Sequence, residues 1–64
     1  MYYFKMRGDD PIRSKYSEND YTIEEMKREH VGKFIRVGDE PHDVEQIIGI
    51  MTEAEAEEYF NGGF

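Results

Sequence analysis

Apolar and polar residues alternate along three segments of this chain. The alternating segments are Tyr2 to Arg7, Lys33 to Val37 and Val44 to Met51. A period of two residues is typical of strands with one face in the core and the other in solvent. The pattern therefore predicts three strands.

The third predicted strand has apolar residues on both faces. Strict alternation puts Ile48 and Ile50 on one face, and Ile47 and Met51 on the other. We therefore expect a central strand that is covered on each side. Ile35, Ile48 and Ile50 are the predicted core residues, and Ile48→Ala should leave the domain largely unfolded.

Two capping-box sequences predict the starts of two short helices. Thr22 is followed three residues later by Glu25, and Thr52 is followed at the same spacing by Glu55. In a capping box the threonine hydroxyl accepts a hydrogen bond from the third helical residue, whose glutamate side chain reaches back. The predicted helices run from Ile23 to about His30 and from Glu53 to about Phe60.

The resulting element order is β-α-β-β-α. The turn Gly38 to His42 separates the second and third strands, so these two strands should form an antiparallel hairpin. We expect a small single α+β domain over residues 1–64, with a three-stranded, mainly antiparallel sheet and two short helices.

The composition limits how this domain is stabilised and where it works. The chain has 64 residues and no cysteine, so it has no disulfide and no thiolate ligand, and its core depends on packing. No stretch resembles a signal peptide or a membrane span. We expect a cytoplasmic protein that does not bind membranes. Since the sequence begins with Met1 and has no tag-like stretch, we also expect a complete small reading frame.

The formal charge of −7 is concentrated in one half of the sequence. Residues 1–37 carry eight basic and seven acidic side chains, whereas residues 38–64 carry eight acidic side chains and no lysine or arginine. Direct binding to nucleic acid needs clustered basic residues and is disfavoured. The acidic half instead favours a partner protein with a basic surface.

Seven acidic residues of this half are the predicted partner-binding residues, and most of them should be exposed on one connected face. They are Asp39, Glu40, Asp43, Glu45, Glu53, Glu57 and Glu58. In size, acidity and lack of motifs, the chain resembles small phage-encoded proteins that disable host DNA-binding factors, nucleases or polymerase. The resemblance covers no motif and transfers no residue role. It implies a non-enzymatic inhibitor or adaptor that mimics DNA and docks on a nucleic-acid-binding surface.

Neither a catalytic site nor a metal or cofactor site is predicted. His42 lies among acidic residues, but no second imidazole stands at a spacing suited to zinc, and a solvated acidic turn explains this segment. His30 suits the negative end of a helix dipole. Carboxylate pairs of the glycosidase type need a cleft that a domain of this size has little room to build.

A homodimeric structural or regulatory module is the alternative function. The chain has nine aromatic residues, and tyrosine is enriched at protein interfaces. They either replace the missing leucines in the core or form a surface for self-association. Tyr3 and Phe64 are the aromatic residues expected to be exposed.

Overall fold

Four strands and two helices make up residues 1–62, the part of the chain that the computed structural model describes. The strands are β1 (Tyr3–Met6), β2 (Ile12–Arg13), β3 (Phe34–Arg36) and β4 (Val44–Met51). The helices are α1 (Ile23–His30) and α2 (Glu53–Phe60). The predicted α+β class and both predicted helices are confirmed. The prediction of three strands is wrong, because β2 adds a fourth and changes the order to β-β-α-β-β-α.

The sheet has the strand order β2-β1-β4-β3 and every described pairing is antiparallel. β4 pairs with β1 on one side and with β3 on the other. The predicted hairpin of the second and third strands is therefore confirmed as β3 and β4. Its turn is closed by the Val37 amide, which donates to the Asp43 carbonyl at 2.8 Å.

β2 was not predicted, because a strand of two residues is too short to show an alternating pattern. Ile12 pairs with Phe4, so it is contact with β1 that makes this segment a strand. Ser14 extends the connection, since its amide and its hydroxyl both donate to the Tyr2 carbonyl, at 2.9 and 2.7 Å. These are contacts between distant segments of the sequence.

Both helices begin with the predicted capping boxes. The Thr22 hydroxyl accepts from the Glu25 amide at 3.2 Å, and a Glu25 carboxylate oxygen accepts from the Thr22 amide at 3.0 Å. The same two bonds join Thr52 and Glu55. After α1 the chain turns at Gly32, whose φ of 95° lies in the left-handed region that favours glycine.

A β-bulge in β4 changes which isoleucines enter the core. Lys5 pairs with Gly49, but Met6 pairs with Ile47, so Ile48 has no partner on β1. An extra residue shifts the alternation of side chains. Ile47 and Ile50 are consequently both buried, while Ile48 is 44% exposed. The prediction that Ile48 is a core residue is therefore wrong. Ile50 is confirmed, and Ile35 is half-buried against the core.

The main core lies between the sheet and α1. Its buried side chains are Tyr2, Phe4, Met6, Met26, Ile47 and Ile50. On the opposite face of the sheet, Tyr3 packs against Phe60 of α2 with ring centroids 6.2 Å apart, and Ala56 is buried. The two helices thus lie on opposite faces. Within the described residues, neither helix is long and apolar enough to cross a membrane.

Candidate functional site

The acidic turn between β3 and β4 displays carboxylates that no lysine or arginine of residues 1–62 approaches within 4.0 Å, although His42 Nε2 lies 4.0 Å from Asp43 Oδ1. Arg36 is the nearest cation in sequence, but its guanidinium donates to backbone carbonyls, to Asp39 O at 2.6 Å and to Gly38 O at 3.3 Å. The side chains of Asp39 and Glu40 are exposed. Arg36 therefore orders the turn through its backbone and forms no direct ion pair with the carboxylates of Asp39 and Glu40.

Asp43 and Glu45 line a cavity of about 430 Å³ together with Asp9 and His42. Glu45 lies so close to Gly8 that a Cβ at residue 8 would be 2.7 Å from its Oε1. Asp9 is not among the predicted binding residues. Its proximity follows from the pairing of β1 with β4, which alternation alone does not reveal. Across residues 1–62, no group of three histidine or carboxylate side chains is arranged to hold a metal ion.

Glu53, at the start of α2, contacts the amino terminus. Its Oε1 lies 3.4 Å from the Met1 ammonium, which is also 3.8 Å from Glu18. Glu18 in turn accepts a hydrogen bond from the Glu53 amide at 3.2 Å. Glu53 is thus partly neutralised, unlike the exposed carboxylates of Asp39 and Glu40.

The predicted acidic residues do not all lie near one another. The turn precedes β4, and Glu53 follows it. Because β4 has eight residues, its two ends lie about 23 Å apart. The end of α2 lies beside the β1–β2 turn, because the Tyr59 hydroxyl donates to Asp10 at 2.7 Å. Glu57 and Glu58, both exposed, immediately precede this anchor. Glu53 therefore stands apart from the acids of the turn.

A second concave site, which the sequence did not predict, lies on the α1 face of the sheet. We call it the basic groove. Its volume is about 430 Å³. Its apolar lining comes from all four strands: Phe4, Ile12, Ile35, Ile47 and the exposed Phe34. Its other lining residues are Arg13, Ser14, Lys15, Tyr16, His30 and Lys33.

Aromatic contacts form one wall of the basic groove. The His30 ring lies 4.7 Å from the Tyr16 ring and 5.2 Å from the Phe4 ring, measured between centroids. These contacts hold the end of α1 against β1. No sequence signal indicates the groove, because separate segments form it only when the sheet assembles.

Exposed apolar residues of β3 and β4 form an apolar patch. We define it by Phe34, Val44 and Ile48, of which Phe34 is 65% exposed. The two aromatic residues that the sequence predicted to be exposed do not belong to this patch. Tyr3 is half-buried against Phe60, and Phe64 lies outside the described residues.

No protein-family model, curated protein or solved structure matches this chain. The fold and the surfaces define a small antiparallel α+β domain with an acidic turn and helix end, a basic groove and an apolar patch.

Proposed function

We propose that this chain is a small non-enzymatic binding module, an inhibitor or adaptor. Its acidic C-terminal half docks on the basic, nucleic-acid-binding surface of a partner protein. One observation supports this proposal above all: in residues 1–62, no lysine or arginine side chain lies within 4.0 Å of a carboxylate. The acids are thus available for contacts with another molecule.

Such an arrangement favours association with a cationic surface. A cluster of like charges produces a negative field that steers a basic partner into contact, much as the phosphates of a nucleic acid do. Glu40, Glu57 and Glu58 are exposed and, among residues 1–62, have no ion-pair partner, so their docking breaks no existing salt bridge. Asp43 and Glu45 are half-buried. The attraction should weaken as salt rises, since the screening length falls to about 3 Å at 1 M salt.

The geometry selects the residues to test. Glu40 lies in the turn, and Glu57 and Glu58 lie near the end of α2; all three are exposed. Glu53 is left unchanged because it contacts the N-terminal ammonium. The test variant is the triple change Glu40→Lys, Glu57→Lys and Glu58→Lys.

A matched control reverses three exposed acids of the first half of the chain. The changes are Asp20→Lys, Glu24→Lys and Glu29→Lys, which alter the net charge by the same amount. Any difference between the two variants then reports the position of the charges and not their number.

The experiment starts by capturing partners from a lysate of the source organism at low salt and eluting them with duplex DNA. A purified partner is then titrated with the wild type and with both variants at low and high salt. We expect the test variant to lose about tenfold in affinity at low salt, chiefly through slower association. The control should bind like the wild type. Equal affinities of both variants at low salt would overturn the proposal.

The apolar patch supports the alternative, a homodimeric structural or regulatory module without mimicry. Exposed apolar patches often mark protein interfaces. Sedimentation velocity over a range of concentrations tests for a dimer that persists at high salt and dissociates in Phe34→Ser. Val31→Ser, at an exposed apolar residue outside the patch, is the control. A monomer at every concentration would exclude this function.

A further inference from the structure

We propose that the basic groove binds a small anionic amphiphile, a molecule with an aromatic or aliphatic body and one carboxylate group. This site is separate from the acidic surface, so it goes beyond the proposed function. The chemistry of its lining carries the inference.

The size and lining of the groove suit such a body. Sites for small molecules are concave, mostly apolar, and about 300 to 1,000 Å³ in volume. The groove has about 430 Å³. Ile12 and Ile35 are only half-buried, so the protein itself leaves part of their apolar surface uncovered. A ligand that covers this surface gains the free energy of its burial.

The charge of the lining is opposite to that of the whole chain. The acidic side chains outnumber the basic ones by 15 to 8, yet among residues 1–62 no aspartate or glutamate lines the groove. The ionisable residues that border it, apart from Tyr16, are Lys15, His30, Lys33 and Arg13, of which Arg13 pairs with Tyr3 and so shares the α2 face of the sheet. Glu25 and Glu29 line a neighbouring cavity of about 280 Å³ that shares Tyr16 and His30 with the groove. An anionic head group is therefore complementary to this lining.

Lys33 lies on the same sheet face as the apolar lining. The Ile47 amide donates to the Lys33 carbonyl at 2.9 Å, which continues the β3–β4 pairing by one residue. Residues paired across an antiparallel ladder share a face, so Lys33 is on the side of the buried Ile47. A lysine packs its methylene stem on apolar surface and keeps its ammonium at the edge. The Lys33 ammonium can there form an ion pair with the carboxylate of a ligand whose apolar tail lies on the sheet.

The global charge limits the ligand to a small anion. A nucleic acid that approached the groove would meet the field of a chain with net charge −7, and this repulsion grows with the number of phosphates. A single carboxylate experiences far less repulsion and still gains the local ion pair. The aromatic wall of Tyr16 and His30 adds a stacking surface for the ligand body.

The probe pair is dodecanoate and dodecyltrimethylammonium, which share an alkyl tail and differ in the sign of the head group. Each is titrated into the whole chain below its micelle concentration and followed by amide chemical shifts in NMR. We expect dodecanoate to shift the amides of Lys15, Lys33 and Ile35 and to bind more tightly than the cation. Equal affinities, or shifts concentrated outside the groove, would overturn the proposal.

Charge removal tests the role of the lysines. Lys15→Gln with Lys33→Gln should weaken dodecanoate binding about fivefold, the effect of two partly exposed ion pairs. Lys5→Gln with Lys27→Gln removes the same charge elsewhere, because neither lysine lines the groove. All four lysines are exposed, so both variants should fold. Equal weakening in the two variants would show that net charge, not the groove, attracts the anion, and would refute the site.

Discussion

The phenol hydroxyl of Tyr59 donates a hydrogen bond of 2.7 Å to Oδ1 of Asp10. This bond joins the last turn of α2 to the connection between β1 and β2. The helix has one buried residue, Ala56, and its Phe60 ring packs on Tyr3. Tyr59 is therefore a principal anchor for the part of α2 that carries the proposed partner-binding acids.

Loss of the Tyr59 hydroxyl should loosen the end of α2. We expect Tyr59→Phe to increase amide hydrogen exchange in α2 while exchange in β4 stays slow, because α2 is held by few contacts. Asp10→Asn keeps an acceptor but loses the charge, and charge-assisted bonds are stronger than neutral ones. Asp10→Asn should therefore increase hydrogen exchange in α2 less than Tyr59→Phe does. Unchanged exchange in Tyr59→Phe would show that the bond does not hold α2.

The same bond predicts a stability change at high pH. The hydrogen bond to Asp10, with the negative charge of that carboxylate, raises the pKa of Tyr59. The bond therefore stabilises the folded chain below the ordinary tyrosine pKa of about 10, and this contribution is lost as pH rises through the raised pKa. Thermal melts across this range should show that part of the alkaline destabilisation disappears in Tyr59→Phe. An identical alkaline profile in both proteins would contradict the assignment.

The β-bulge predicts opposite outcomes for two adjacent isoleucines. Ile47 is 1% exposed, so Ile47→Ala should cost about 2 to 5 kcal/mol of unfolding free energy. Ile48→Ala should cost less than about 1 kcal/mol, because only strand propensity is changed at an exposed position. Denaturant melts measure both. If Ile47→Ala fails to fold, Ile47→Val should still lose about 0.5 to 1.5 kcal/mol. A larger loss in Ile48→Ala than in Ile47→Ala would refute the bulge.

The first capping box predicts a stability change in acid. Hydrogen bonds from the Thr22 amide and hydroxyl lower the pKa of Glu25. The carboxylate therefore stabilises the fold above the ordinary glutamate pKa of about 4.3, and this contribution is lost as pH falls through the lowered pKa. NMR titration should give Glu25 a pKa below the ordinary glutamate value. In Thr22→Val the Glu25 pKa should rise; if it does not, the box contributes nothing to the shift.

Two glycines next to predicted binding residues should differ in their tolerance of a methyl group. A Cβ at Gly38 would lie 2.5 Å from Asp43 Oδ2 and 2.9 Å from Asp43 Cβ, so the turn itself must move. A Cβ at Gly8 would meet the carboxylate end of Glu45, which can rotate away. We expect Gly38→Ala to lower the melting temperature more than Gly8→Ala does. The reverse order would show that the turn is not tightly packed around Asp43.

The helix starts were predictable because a capping box is local. Thr22 and Glu25 are three residues apart, and their two hydrogen bonds need no other part of the chain. The exposure of Asp39, Glu40, Glu57 and Glu58 was also predictable, since unpaired carboxylates are costly to bury. The distance between the acids of the turn and those of α2 was not predictable, because it depends on the direction in which α2 packs on the sheet.

The sequence by itself determined the class of the fold, both helices, three of the four strands and the concentration of negative charge after residue 37. Only the tertiary structure decided the rest. Pairing with β1 made Ile12 part of a strand and made Ile48 the unpaired residue of a bulge. Assembly of the sheet also brought Lys15 and Lys33 to the same groove. The reason is physical: helix caps and side-chain charge act over a few residues, whereas strand register and concave surfaces depend on segments far apart in the chain.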